Sequence, residues 1–248
     1  MKRRDFLASA ALALATGKGL AWSLPDWLPD RGLRNPCLAP DIPDHLSHDP
    51  VVIEALRDLD ADGVWDCHVH MVGTGTADPG NVWVNPAMDR LWQPLQFLQK
   101  RFYMNASCVD DPDRGDALYV ERLDALVRAA GIGRPMLLAF DYNYDPQGRR
   151  HPERSTFFVS NGYTRAVAAA HPGWEWICSV HPYRHDAVDA LQRAVEQGAR
   201  AVKWLPPAMG MDPASPQCDP FYAELQRLDL PLLTHGGHEL AAKGGGHQ

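Results

Sequence analysis

Two histidines one residue apart close an apolar run in the stretch GVWDCHVHMVG, Gly63 to Gly73. Successive side chains on a β-strand point to opposite faces, so residues two apart share a face. On such a strand His68 and His70 project together from its C-terminal end, where two imidazoles can grip one metal ion. A lone His-x-His also serves as an ordinary polar strand end, so the rest of the chain has to decide. Other polar residues end apolar runs in the same manner. Asp141 ends PMLLAFD, His181 lies in WICSVHP, Lys203 in ARAVKWLPP and His235 in LPLLTHGG.

The elements that must position these residues follow a repeating order. Short apolar runs predict strands over 64–70, 135–141, 176–182, 200–206 and 231–236. Apolar residues at helical spacing predict helices over Tyr119–Ala130, Phe157–Ala170, Ala187–Gln197 and Phe221–Leu228. Strands alternating with helices imply right-handed βαβ units and a parallel sheet, hence an α/β fold. In such folds the C-terminal strand ends converge on the functional site, and every polar residue singled out above lies at or near one. The connection from Met71 to Tyr119 is far too long for a simple loop. Its aromatics, Trp83, Trp92, Phe97, Phe102 and Tyr103, suit a lid that also packs a helical insertion around Met88–Phe102.

Composition narrows the function. The chain has 248 residues, 45% hydrophobic and 22% charged, which suits a soluble globular protein with one large domain or two small ones. The formal charge of −7, without a basic run beyond the N-terminus, argues against nucleic acid as a partner. Residues 1–21 have the form of an export signal: Lys2, Arg3 and Arg4, then an Ala- and Leu-rich stretch too short and weakly apolar for a stable membrane anchor. Arg3-Arg4 with Phe6 and Leu7 resembles a twin-arginine signal, which predicts a periplasmic or secreted protein that takes up its cofactor before export. Residues 22–62 read as an N-terminal arm ending in a short helix near Pro50–Asp60, and 63–248 as the functional domain. The five cysteines form no Cys-x-x-Cys pair and are odd in number, which argues against a disulfide scaffold. Cys67 and Cys178, inside apolar runs, are expected to be buried.

DCHVH, SVHP, AVKWLPP and LPLLTHGG, in this order, resemble the amidohydrolase superfamily, closest to its amidohydrolase-related branch, from about Gly63 to the C-terminus. The resemblance implies a (β/α)8 TIM-barrel metallo-hydrolase that acts on a small molecule. It implies that His68 and His70 bind a divalent metal, most often zinc, with His235 as a third ligand. It places His181 and Lys203 in the catalytic pocket, Lys203 either carbamylated between two metals or plain and paired with a substrate carboxylate or with Asp141. Asp141 and Trp204 are assigned to substrate contact. The chemistry is coherent, because zinc on neutral imidazoles brings the pKa of bound water to about 7 and polarises a carbonyl.

The pattern departs from the family after the fifth strand. Relatives carry a histidine at the end of strand six and an acid at the end of strand eight, whereas this chain ends at Gln248. The expectation is therefore a barrel truncated after about strand 5, completed by homo-oligomerisation or by a missing C-terminal segment, and incomplete or inactive alone. His238, Glu239 and His247 read as a glycine-rich segment rather than substitute ligands. The expected activity is hydrolysis of a C–O or C–N bond in an ester, lactone or amide. A metal-dependent decarboxylase of the same superfamily and a non-catalytic binding protein are the alternatives.

Overall fold

The computed structural model describes Cys37, residues 44–109 and residues 111–237. The expected signal segment with Arg3 and Arg4, most of the arm before Asp44, and His238, Glu239 and His247 lie outside the described residues. The described strands are β1 (Trp65–His70), β2 (Val82–Val84), β3 (Arg134–Leu138), β4 (Phe157–Val159), β5 (Glu175–Ile177), β6 (Val202–Trp204) and β7 (Leu232–Thr234). Helices α1 (Asp44–Ser47) and α2 (Pro50–Leu56) precede β1, the second capped by the Asp49 carboxylate on the Val51 amide. The remaining helices are α3 (Pro94–Ala106), α4 (Gly115–Ala129), α5 (Asn161–Ala170), α6 (Ala187–Glu196), α7 (Pro206–Met209) and α8 (Asp219–Arg227). None among the described residues is long and apolar enough to cross a membrane.

The fold is α/β with a parallel sheet. β1 pairs with β3, β3 with β5, and β6 with β7, all parallel. Cys178, just past β5, makes a parallel bridge to Val202, its amide on the Ala201 carbonyl and its carbonyl accepting from the Lys203 amide. Five strands thus lie side by side in chain order, β1-β3-β5-β6-β7, over the five segments expected to form strands.

Side-chain alternation sorts this sheet into two unlike faces. Val69, Leu137, Cys178, Val202 and Trp204 join one large core with Val167, Leu191, Ala194, Phe221 and Leu225 from α5, α6 and α8, and Val120 and Leu123 of α4 pack against it. All four crossover helices therefore cover the same face. α6 shows how: Leu191 and Ala194 sit on one stripe of the helix, fully or almost fully buried, while Arg193 and Glu196 point outward. The opposite face carries a much smaller apolar group, Met136, Leu138, Ile177 and Ala201, with Leu233 packed on it.

Three expectations need correction. The helix expected over Phe157–Ala170 begins only at Asn161, where the Ser160 hydroxyl caps the Tyr163 amide. Phe157–Val159 is instead β4, antiparallel to β2. Aromatic and β-branched residues favour extended backbone when partners are present. Here Phe158 stacks on Tyr142 at 4.1 Å and Phe157 lies 4.4 Å from Phe140. Cys67, expected to be buried, is exposed on the β1 strand, while Cys178 is fully buried as expected. The long connection after β1 contains β2, a 3-10 turn at Pro86–Asp89 and α3, in place of the single helical insertion expected at Met88–Phe102.

Candidate functional site

β1 delivers the histidine pair with a local distortion. Asp66 aligns with Pro135 and Val69 with Leu137, so β1 spends one more residue than β3 over the same span. Such a bulge frees an amide and re-aims a side chain. The His68 amide donates to the Asp66 carboxylate at 3.0 Å, within the strand itself. His68 Nε2 and His70 Nε2 then approach to 3.1 Å, with the rings tilted by 50°. As a hydrogen bond, this contact has one ring donating N–H to the other. It also suits a shared ion, since two nitrogens about 2.0–2.1 Å from one tetrahedral centre lie roughly 3.3 Å apart.

The register carries the other polar residues to the same side. His70 aligns with Leu138, Leu138 with Ile177, and Lys203 with Leu233, so all of them share the thinly covered face. The His235 amide continues the ladder onto the Trp204 carbonyl, which returns the His235 side chain to the face of Leu233 and Lys203. Burial holds the His68 pKa below its ordinary value, the Lys203 charge and His235 push it down further, and Asp66 opposes them. Lys203 is only 2% exposed, and the His235 Nε2 atom is shielded from solvent. The residues that could hold an ion are thus His68, His70 and, from the far strand, His235. No group of three or more His, Cys, Asp or Glu is closed around one point among the described residues. The expected convergence of three histidines is present as a tight pair, with the third acting on it electrostatically.

The other site expectations turn out differently. Trp204 is fully buried on the helix-covered face, its indole N–H on the Val180 carbonyl and its ring against Phe221 and Tyr222. Alternation alone separates it from Lys203. His181 is also fully buried, and both ring nitrogens are committed: Nε2–H donates to the Met209 carbonyl and Nδ1 accepts from the Tyr183 amide. Burial pushes its pKa down to about 4, so it is a neutral ring that ties the end of the third parallel strand to α7. Asp141 is 2% exposed and accepts from the Tyr142 and His181 amides and from Arg184 Nη1 at 2.9 Å. Its oxygens organise two strand ends and leave little for a substrate.

Several positioning residues carried no signal in the sequence. Asp116, at the start of α4, accepts from the amides of Thr74 and Gly75 and so pins the loop that leaves His70. Gly73 has no room for a side chain, because an added Cβ would fall 2.2 Å from that Asp116 carboxylate. Tyr119 donates its hydroxyl to the His70 carbonyl, and burial pushes its pKa up to about 12. Ser179 accepts from the Asp141 amide and donates to the Lys203 carbonyl, binding three neighbouring strand ends together. A polar residue inside an apolar run announces none of these partners.

A cavity of about 240 Å³ opens beside His70, walled by the loop after β1, by β2 and β4, and by α3 and α4. Cys108, next to the cavity-lining Ser107 and Val109, forms a disulfide with Cys37. One bridge is no scaffold, but it fastens the end of the insertion. Comparison of the chain with protein-family models, with curated proteins and with solved structures yields no match.

Proposed function

We propose that this chain is a metal-dependent hydrolase of the amidohydrolase type, its parallel strands being the first five of a (β/α)8 barrel. The architecture is supported by strand order. Right-handed crossovers in strict chain order send every helix to one face, whereas a doubly wound sheet reverses its order and covers both. The observation that carries the activity is the 3.1 Å approach of His68 and His70 at a strand's C-terminal end, on the face shared with Lys203 and His235. Neutral imidazoles are good zinc donors, and the lowered pKa of His68 keeps its ring in the ligating form at neutral pH.

His68, His70 and His235 would hold the ion. A divalent metal there supplies Lewis-acid polarisation of a carbonyl and acidifies water, as ester, lactone or amide hydrolysis requires. Lys203, buried beside the pair, orients an anionic or carbonyl oxygen of the substrate by its charge. We extend the reading to localisation: Arg3 and Arg4 direct twin-arginine export, and the Cys37–Cys108 disulfide suits an oxidising compartment.

Equilibrium dialysis against zinc, followed by metal analysis, tests the ion site. The wild-type chain is expected to retain zinc, a His68→Ala, His70→Ala double variant to lose most of it, and His235→Ala to bind more weakly. A double variant with the wild-type zinc content sinks the proposal. Zinc binding without metal-dependent cleavage across a panel of simple esters, lactones and amides would favour a binding protein over an enzyme.

A further inference from the structure

We infer that the cavity beside His70 is the substrate's apolar subsite, and that the enzyme takes a compact aromatic or branched acyl group there. This rests on the hydrolase reading above and adds to it the substrate class. The wall is built from His70, Val84, Met104, Ser107, Tyr119 and Phe157, among others, so one member of the histidine pair is itself part of the lining. The cavity therefore reaches the residue whose ring nitrogen meets His68.

Three of the polar groups on this wall are engaged by protein partners. The Tyr119 hydroxyl is held by the His70 carbonyl. Lys100 Nζ sits between both carboxylate oxygens of Asp89, at 2.7 and 2.8 Å, so its charge is met outside the cavity. Thr74 is engaged with Thr76 and Asp116. What remains for a ligand is mostly methyl, thioether and aromatic surface, which rewards an apolar group and penalises an anion. Size sets the class. An apolar cavity of about 150 Å³ takes up benzene, so 240 Å³ accepts a phenyl group with a few further atoms. Such a group, seated beside His70, would hold its carbonyl next to the residue proposed as a metal ligand.

The test separates the two readings with a pair of probes that share a metal-binding head, acetohydroxamate and benzohydroxamate. Titrated into the zinc-loaded full-length chain, benzohydroxamate is expected to bind at least tenfold more tightly, a difference of about 1.4 kcal/mol. Ser107→Phe fills the cavity from a helix end whose backbone (φ −83°) suits any residue, and it is expected to bring the ratio below about twofold. Val84→Phe fills it from the opposite wall and covers the case in which the first variant fails to fold. Indole, titrated into the metal-free chain, is expected to bind saturably and to lose binding in both variants. Equal hydroxamate affinities with zinc bound, or no indole binding, overturn the subsite and leave the hydrolase reading standing. A chain that binds indole but no zinc overturns the hydrolase reading, and the substrate role falls with it.

Discussion

At the scale of single residues, the histidines divide by what their ring nitrogens do. His68 and His70 meet each other, whereas His181 spends both nitrogens on backbone partners. A ring kept neutral in the folded protein with a pKa of about 4, against 6.5 in the unfolded chain, has a definite consequence for stability. Between those values the unfolded chain binds a proton that the folded chain refuses, so stability rises with pH across that window. The contribution is fully present above pH 6.5 and falls by about 3 kcal/mol on acidification to pH 4. Urea unfolding at a series of pH values should show this slope. His181→Gln, which retains a donor for the Met209 carbonyl, should flatten it by the same amount. Asp141 poses the complementary case. Its charge is buried and leans on Arg184, so Arg184→Met should cost about 3–5 kcal/mol by stranding a carboxylate. Adding Asp141→Asn should return part of that loss, and a double-mutant cycle measures how much.

At the scale of elements, the segment between β1 and α4 builds the cavity, and two fasteners hold it. Asp116 ties the loop after His70 to the start of α4. The Cys37–Cys108 bridge fixes the end of α3 across a separation of 71 residues. Closing a loop of that size removes unfolded-chain entropy worth about 4 kcal/mol in the simplest model. A Cys37→Ser, Cys108→Ser variant should therefore unfold at lower urea concentration by a comparable free energy. Its indole affinity should also drop, because Ser107 and Val109 flank the released cysteine. Indole affinity at the wild-type level would show that the cavity wall stands without the bridge. β4 makes a related point about propensity: Phe157–Val159 reads as the start of a helix until β2 offers it a partner.

At the scale of the whole molecule, an ion shared by β1 and β7 would join the two outer strands of the described sheet. A ligand that binds only the folded chain stabilises it by mass action, by about 2.7 kcal/mol at a hundredfold excess over its Kd. Thermal unfolding should accordingly shift upward with zinc, and the His68→Ala, His70→Ala variant should show no shift. Export belongs to this scale too. On the proposed twin-arginine route the paired guanidiniums are what is read, and lysine lacks that planar fork, so Arg3→Lys with Arg4→Lys should leave the protein untranslocated, as fractionation would show. Normal periplasmic levels would point to the general secretory route. Much of this organisation was legible in the one-dimensional pattern. Apolar runs of strand length, alternating with amphipathic stretches such as Ala187–Glu196, specify a parallel α/β sheet, because local periodicity and burial are two views of one constraint. The strand-end residues His68, His70, Lys203 and His235 were legible for the same reason: alternation assigns a face once a strand is known. Tertiary structure alone decided which polar residues remain available for chemistry. Trp204 and Lys203 are adjacent in sequence yet lie on opposite faces, and His181 and Asp141 look like site residues until the amides and the guanidinium that claim them are seen. Those partners stand 28 to 43 residues away, at Met209 for His181 and at His181 and Arg184 for Asp141. Hydrogen bonds across such separations are set by how the strand ends pack, which no local pattern encodes.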